Sequence, residues 1–585
     1  MKLLLALCVL AVVPANAAQL QFDQTDLTPA ERAASASLLK EALHRLPPRW
    51  RQTLDARLQL RWSDDLPSDV HGRTQAGRIS LRRDLLRQLP HQSLEDTPAL
   101  RALLHELAHV YDRSPQGGLS HNPHLLDLAG WQQRPLHFGR RSAHNPFTGR
   151  SPDEYELTNP REYVAVNLEW FLLDPEYACR RPALARLFAA HFNWQPAAAA
   201  CAPGLVFMRA EGRTGQLEQL DPKRVYAVDY LLAEGNAAPM SRWGHSMLRL
   251  VICAPGRAPG PDCRLDLQYH RVLSFRAFVE DVQISSLRGL TGRYPSRLFL
   301  LPLDQVIDEY TKTELRGLQS LPLRMTQEEI SALLTRAAQL HWSYDGRYYF
   351  VSNNCAVETW KLLHDALPRY ARAHLRSVFP RRLLRRLARA GLVETAVLED
   401  RAAAVRQGYY FEPMDAHYQA LFTVAHEVLR LPQVRVEEWL ALSPMQRAPW
   451  LGRGDLRATA ALLVLEEAAQ RRAELRARDV LKRRLLDARV DDGARTQVRS
   501  VLAKTALLMW PASLDGGGYG LPQQERAVLE AQARALAGQT ETAWAELWEQ
   551  AQAALPAREQ VQLAGVTQNL EVLGARLRVL ADKPQ

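Results

Sequence analysis

The sequence has no long apolar run beyond its first residues, no nucleic-acid-binding motif, and only six cysteines. A transmembrane helix needs about 20 predominantly apolar residues, so we expect no membrane-spanning segment in the mature chain. The 74 basic residues outnumber the 64 acidic ones and give a net charge of +10, but they are spread along the chain without forming a basic block. This spread argues against a nucleic-acid partner and favours contact with an anionic envelope surface.

The first residues have the three regions of a secretory signal. Lys2 precedes an apolar run over residues 3–13, and small residues follow up to Ala18. This order predicts cleavage near Ala17 or Ala18, so residues 1–18 form a signal peptide and the mature chain is periplasmic or otherwise exported. Much later, the glycines of residues 516–520 are not followed by a lysine, which predicts a loop and no phosphate-binding site.

The cysteine count is informative in an exported chain. Removal of Cys8 with the signal peptide leaves an odd number of cysteines in an oxidising compartment, namely Cys179, Cys201, Cys253, Cys263 and Cys355. The simplest assignment is two local disulfides, one from 179 to 201 and one from 253 to 263, although five cysteines permit other pairings. The simplest assignment leaves Cys355 as a free thiol.

The pattern His-Glu-x-x-His occurs at residues 105–109 within an apolar, helix-forming run. Residues four apart lie on the same face of an α-helix, so His105 and His109 can direct both imidazoles at one metal ion. Glu106 lies beside this pair and can act as a general base for a metal-activated water. We therefore predict a zinc site on this helix.

The pattern of apolar residues and caps predicts an α+β fold in the first two thirds of the chain. A capping box at Thr28 and Glu31 opens a helix that extends to about Leu46, and a second capping box at Thr326 opens one that extends to about His341. Alternating or apolar runs predict strands over residues 57–62, 77–81, 224–232, 244–253, 264–274 and 297–301. The helix with the two histidines begins near Pro98.

A zinc site needs a third protein ligand, and residues 159–166 read Asn-Pro-Arg-Glu-Tyr-Val-Ala-Val. This stretch resembles the second motif helix of the lethal-factor and MtfA-like zinc peptidases, in which Asn-Pro-x-Glu-(aromatic)-x-Ala-Val supplies a glutamate ligand. The resemblance, which covers about residues 95–182, implies Glu162 as the third ligand and Tyr155 as the group that stabilises the oxyanion. Glu169, further along the helix, is expected to support a ligand or to lie on the surface.

Cys355 follows Asn354, a good N-cap, and therefore begins a helix. The positive end of a helix dipole favours thiolate, so we expect a lowered pKa for Cys355. With His245 as the base, the arrangement resembles the permuted papain-like hydrolases related to NlpC/P60 enzymes. Ser-Arg-Trp-Gly-His-Ser at residues 241–246 and Asn-Asn-Cys-Ala at 353–356 look more closely like the Lnb N-terminal periplasmic domain family, over about residues 205–390. Asp266 and His270 are candidates for a third polar member.

These patterns predict an α+β multidomain protein. We expect a zincin-like domain over residues 19–203, a permuted papain-like domain over 204–400, and an α-helical domain over 401–585 in which no chemistry is evident. The predicted function is that of an exported zinc-dependent hydrolase, a peptidase, with a second Cys/His amidase or esterase site acting on protein, peptide or other envelope material. The alternative is a non-enzymatic accessory protein that helps exported proteins to mature.

Overall fold

A computed structural model gives the structure of the protein for the following residues: 20, 22–54, 58–89, 94–133, 140–143, 145–147, 149–209, 217–236, 242–277, 294–344, 346–486, 510–514 and 516–581. The predicted signal peptide lies outside these residues. The contacts divide the chain into two units, one formed by residues 1–132 and 151–201 and the other by residues 133–150 and 202–585. No helix among the described residues is long and apolar enough to cross a membrane.

The first unit combines helices with a small mixed sheet. Its strands are β1 (Gln59–Ser63), β2 (Gly72–Gln75) and β3 (Arg78–Arg82), where β3 lies in the centre, parallel to β1 and antiparallel to β2. The helices of this unit are α1 (Pro29–Arg45), α2 (Pro48–Arg51), α3 (Arg83–Gln88), α4 (Pro98–Arg113), α5 (Pro123–Ala129), α6 (Pro160–Leu173), α7 (Tyr177–Arg180) and α8 (Pro182–Phe192). The capping box predicted at Thr28 is present at the start of α1.

Helix α4 carries the His-Glu-x-x-His pattern. Its N-cap Thr97 accepts a hydrogen bond from the backbone N–H of Leu100, and proline occupies the first helical position. The apolar residues Leu100, Leu103, Leu104 and Leu107 are fully buried, and the helix packs against α6 and β2. Burial of this stripe fixes the rotation of α4 about its axis, which places both histidines on the side that faces α6.

The second unit is built on a seven-stranded antiparallel sheet with strand order β11-β9-β8-β7-β6-β10-β12. Its strands are β6 (Val225–Ala233), β7 (His245–Ile252), β8 (Arg271–Ala277), β9 (Tyr294–Pro302), β10 (Leu318–Pro322), β11 (Gly346–Tyr348) and β12 (Tyr410–Phe411), and a separate hairpin consists of β4 (Leu205–Met208) and β5 (Leu217–Leu220). The strand predicted over residues 264–274 is wrong in its first half. Short 3₁₀ turns occupy Pro261–Leu265 and Leu267–Tyr269, because the 253–263 disulfide closes a tight loop there.

The remaining helices cover both faces of this sheet and form the C-terminal region. They are α9 (Leu303–Ile307), α10 (Gln327–Ser343), α11 (Cys355–Ala366), α12 (Pro368–Arg372), α13 (Pro380–Arg389), α14 (Arg401–Arg406), α15 (Met414–Leu429), α16 (Val436–Ala441), α17 (Pro444–Leu451), α18 (Leu456–Leu486), α19 (Arg526–Ala554) and α20 (Ala557–Ala581), and a π-helical turn (Asp308–Thr313) follows α9. The described part of the chain is therefore mixed α+β, with a helical C-terminal region as expected from the sequence.

The two faces of the large sheet bury different side chains of the same strands. On β7, Leu248 and Leu250 belong to the main core, which includes residues of α10 and α11. Met247 belongs to a second core with Tyr310, from the π-helical turn, and Val306. Since side chains alternate along a strand, odd-numbered residues of β7 face the π-helical turn and even-numbered residues face α11.

Candidate metal centre and the thiol of the second unit

Three potential metal ligands converge in the first unit. Glu162 Oε2 lies 3.2 Å from His105 Nε2 and 3.1 Å from His109 Nε2. The ligand atoms of all three residues lie within 4.8 Å of one another, and the side chains are partly buried. Helix α4 brings the two histidines together by their spacing, whereas the packing of α6 against α4 delivers the glutamate.

The spacing of these atoms fits a zinc ion. Nitrogen and oxygen ligands lie about 2.0–2.2 Å from zinc in a tetrahedral site, which places the ligands about 3.3 Å from one another. The two distances from Glu162 to the histidines are close to this value. Two imidazoles and one carboxylate are a donor set that zinc prefers, and they leave a fourth position for water or substrate.

The pKa values of this cluster reflect its strong internal interactions. Burial opposes the charge of His105, but hydrogen bonds to Glu162 and Glu169 outweigh burial and raise the pKa of His105 to about 10. Burial likewise opposes ionisation of Glu162, and the two histidines overcome it and lower the pKa of Glu162 to about 2. At neutral pH the carboxylate of Glu162 is therefore ionised and His105 is protonated, so metal binding here would release a proton from His105.

Glu106 is almost entirely buried, and β2 determines its position. Thr74 Oγ1 donates a hydrogen bond of 2.5 Å to Glu106 Oε2. A Cβ at Gly72 would lie 2.8 Å from Glu106 Cγ, so glycine at this position leaves room for the glutamate. Neither contact was predicted from the sequence. The only available signal was the Gly-x-Thr spacing, which places both residues on one face of a strand.

Tyr155 lies beside the three ligands on a short 3₁₀ turn, Glu154–Leu157. Its ring centroid is 6.4 Å from that of His105, and 53% of its surface is exposed. Partial burial and then the charges of Glu162, Glu106 and Asp153 raise the pKa of Tyr155. The phenol therefore keeps its proton at neutral pH and can donate a hydrogen bond.

A buried polar network ties this turn to α6. Arg181 donates two hydrogen bonds of 2.7 Å to the carboxylate of Glu156, the residue after Tyr155. Asn167, on α6, donates to Glu156 at 2.8 Å and accepts from Arg181 and from Tyr177. Because Asn167 lies on the same helix as Glu162, the network holds Tyr155 and the third ligand in a fixed relation.

Cys355 is a free, buried thiol in the second unit, and the other four described cysteines form the predicted disulfides, 179 with 201 and 253 with 263. The N-cap role of Asn354 is present, since its side chain accepts from the N–H groups of Ala356 and Val357. The expected lowering of the thiol pKa is not found. Burial raises the pKa of Cys355 more than its contacts with Ser246 and Tyr348 lower it.

His245 begins β7, as expected, but its side chain lies on the other face of the sheet. His245 Nε2 is 3.1 Å from Ser274 Oγ, and the ring stacks 6.2 Å from that of Tyr310, in the second core. The neighbouring residue Ser246 is the one that contacts Cys355. Burial, and then the charges of two arginines, lower the pKa of His245 to about 3. The structure therefore does not bring the imidazole to the thiol.

The two candidates for a third polar member are at the opposite end of the sheet. Arg271 pairs with Leu250, which lies five residues from His245 along β7. The neighbour of Arg271, His270, is therefore roughly 17 Å from His245. His270 is fully buried, accepts a hydrogen bond from Arg249 and contacts the carbonyl of Cys263. Asp266 accepts from the backbone of Ala254. Both residues stabilise the loop closed by the second disulfide.

Comparison with known protein families gives two matches. Residues 214–390 match the family described as the Lnb N-terminal periplasmic domain. An Lnb N-terminal periplasmic domain is thus present, as the sequence motifs indicated. Residues 19–118 and 115–201 match a family described as a domain of unknown function, DUF7844. No curated protein and no solved structure matches the chain.

The two family matches support different conclusions for the two matched regions of the chain. The Lnb domain and the two disulfides indicate an exported protein. The match over the first unit is to a family without an assigned activity, so the likeness to zinc peptidases depends on the motif residues and their geometry alone.

Proposed function

We propose that the first unit is a zinc-dependent hydrolase that cleaves amide bonds in peptides or proteins of the cell envelope. The observation that carries this proposal is the convergence of both His105 and His109 on a single oxygen of Glu162, at 3.2 and 3.1 Å. If the two histidines were only surface residues of α4, nothing would require a carboxylate from a second helix to lie between them.

Each residue of the cluster has a separate role in this proposal. The two histidines and Glu162 would hold the ion, and a zinc ion bound there would acidify water and polarise a carbonyl group. Glu106 takes a proton from the attacking water and passes it to the leaving amine, and Thr74 holds one of its oxygens in place. Tyr155 donates its phenolic proton in a hydrogen bond to the developing oxyanion.

The test combines metal analysis with hydrolysis. The purified protein should contain about one zinc per chain and cleave a pool of quenched fluorescent peptides. Glu106→Gln should retain the zinc and lose at least about 100-fold in rate, since it removes the base and no ligand. Glu154→Gln, which changes an exposed carboxylate nearby, should match the wild type. Protein that binds no zinc and cleaves nothing would instead favour the non-enzymatic role in the maturation of exported proteins.

A second candidate activity is acyl transfer to a thiol at Cys355, as an amidase or esterase. The observation in its favour is the position of the thiol at the start of α11, within the matched Lnb domain and next to the donors Ser246 and Tyr348. The raised pKa and the position of His245 on the other face give this candidate less support than the zinc centre. Labelling by an active-site-directed thiol ester at neutral pH, abolished in Cys355→Ser, would establish it.

A further inference from the structure

A strongly basic surface lies in the second unit. Residues 366–393 contain eight arginines and one histidine but no aspartate or glutamate. The basic residues were predicted to be spread along the chain without forming a basic block, and this prediction is wrong here, because the exposed positions of α12 and α13 carry most of these arginines. The exposed members of the basic surface are Arg369, Arg372, His374, Arg381, Arg382, Arg385 and Arg389.

Helix α13 divides its side chains sharply between core and solvent. Leu383 and Leu387 are fully buried, whereas Arg381, Arg382, Arg385 and Arg389 are exposed. Among the described residues, Arg381, Arg382, Arg385 and Arg389 have no ion-pair partner, whereas Arg369 pairs with Glu329 at 2.8 Å. Burial and the neighbouring charges of Arg382 and Arg389 lower the pKa of Arg386. The positive charge of the four exposed arginines of α13 is therefore not neutralised by an ion pair within the described part of the chain.

Two aromatic side chains stand at the N-terminal end of α13. Phe379 immediately precedes the helix and is 40% exposed, and Trp243 is 45% exposed. Their ring centroids are 5.9 Å apart, and the guanidinium of Arg242 lies 5.9 Å from the ring of Trp243. Two exposed aromatic rings in mutual contact therefore stand beside the arginines of α13.

We propose that this basic surface binds an anionic phospholipid membrane. Unpaired arginines gain energy when they contact lipid phosphates, and exposed tryptophan and phenylalanine side chains prefer the interfacial layer between headgroups and acyl chains. The combination of arginines along α13 and aromatic rings at its N-terminal end matches a membrane interface. An exported protein meets such surfaces in the cell envelope.

The surface is directly connected to the thiol of Cys355. Asn354, which caps α11, donates a hydrogen bond of 2.9 Å to the carbonyl of Val378, the residue before Phe379. Tyr230 donates to the carbonyl of Pro380 at 2.9 Å. Docking through Trp243 and Phe379 would therefore place the start of α11 close to the membrane. The proposal goes beyond the zinc-dependent function and does not rest on it.

The test uses the full mature chain and vesicles of two compositions, one of neutral phosphatidylcholine and one containing phosphatidylglycerol. The variant Arg381→Gln, Arg382→Gln, Arg385→Gln, Arg389→Gln removes four charges from the basic surface. The matched control removes four exposed charges from other helices, through Arg457→Gln, Arg476→Gln, Arg478→Gln and Arg558→Gln. The two variants have the same net charge, and circular dichroism confirms that both are folded.

The wild type should bind the anionic vesicles in sedimentation assays, with an affinity that falls as salt is raised, and should not bind the neutral ones. The α13 variant should bind at least about 100-fold more weakly, and the control less than about 5-fold. Trp243→Ala should weaken binding about 10-fold and leave its salt dependence unchanged. The proposal would be overturned if both fourfold variants bound anionic vesicles equally weakly. Equal binding of the wild type to neutral and anionic vesicles would also overturn it, and so would binding to an acidic polymer without binding to vesicles.

Discussion

Thr74 and Glu106 are joined by a 2.5 Å hydrogen bond between the threonine hydroxyl and the glutamate carboxylate. This contact links the edge strand β2 to the helix that carries both histidines. One oxygen of Glu106 is thereby held in place, and the other lies next to Gly72, which has no side chain to displace it. In a hydrolase, this arrangement would orient the base before substrate binds.

Loss of the Thr74 hydroxyl should therefore reduce the rate without removing the metal. Thr74→Val keeps the shape of the side chain and should lower kcat about 10- to 100-fold, with little change in KM, since supporting residues of metal sites have effects of that size. Zinc content, measured by mass spectrometry, should remain near that of the wild type. Thr74→Ser restores the hydroxyl and should recover most of the rate. Full activity in Thr74→Val would show that Glu106 needs no such partner.

Glu162 and Glu169 allow a direct comparison of the proposed ligand with a proposed supporting residue. Glu162 contacts both histidines at Nε2, whereas Glu169 lies 3.6 Å from His105 on the Nδ1 side. Glu162→Gln should abolish stoichiometric zinc binding, and Glu169→Gln should weaken zinc affinity about 10- to 100-fold. Competition with a fluorescent chelator measures both. If the two variants bind zinc equally, the assignment of Glu162 as ligand is wrong.

The shared helix face of His105 and His109 was predictable because it depends on local spacing, whereas Glu162 was predicted from the family resemblance. Histidines four positions apart lie on one helix face, and a proline after an N-cap asparagine fixes the start of α6 with Glu162 in its first turn. The environment of Cys355 was not predictable. Every residue of β7 after His245 is buried, so the strand has no polar alternation to show which face His245 occupies. The position of Cys355 at the start of a helix indicated a lowered thiol pKa. Burial raises this pKa by more, and the extent of burial depends on the tertiary packing.

The ion pair between Arg181 and Glu156 should be important for stability. Both side chains are buried, so Arg181→Met leaves an uncompensated carboxylate and should destabilise the first unit by about 3–5 kcal/mol. The control is Arg45→Met, which breaks a partly exposed pair with Glu41 on α1 and should cost about 0.5 kcal/mol or less. Chemical denaturation followed by circular dichroism measures both. Equal effects would show that the buried network contributes no more than a surface pair.

The reactivity of Cys355 distinguishes the observed geometry from the dyad expected from the sequence. Burial raises the pKa of Cys355, so less thiolate exists at pH 7 than for an ordinary cysteine, and alkylation by iodoacetamide should be slower than that of glutathione. The rate should rise with pH beyond the range in which a free thiol has already ionised. Since His245 faces the other side of the sheet and its pKa is lowered to about 3, the imidazole is neutral and out of contact throughout that range.

Two substitutions at adjacent positions of β7 make this a controlled experiment. His245→Ala should leave the pH profile of alkylation unchanged, because it alters the face opposite to the thiol. Ser246→Ala removes a contact that lowers the pKa of Cys355 and should move the profile to higher pH. Alkylation is followed by mass spectrometry of intact protein, with Cys355→Ser as the blank and circular dichroism to confirm folding. A His245→Ala variant that reacts about tenfold more slowly than the wild type at neutral pH would show that the imidazole does reach the thiol, and the papain-like dyad predicted from the sequence would then be right.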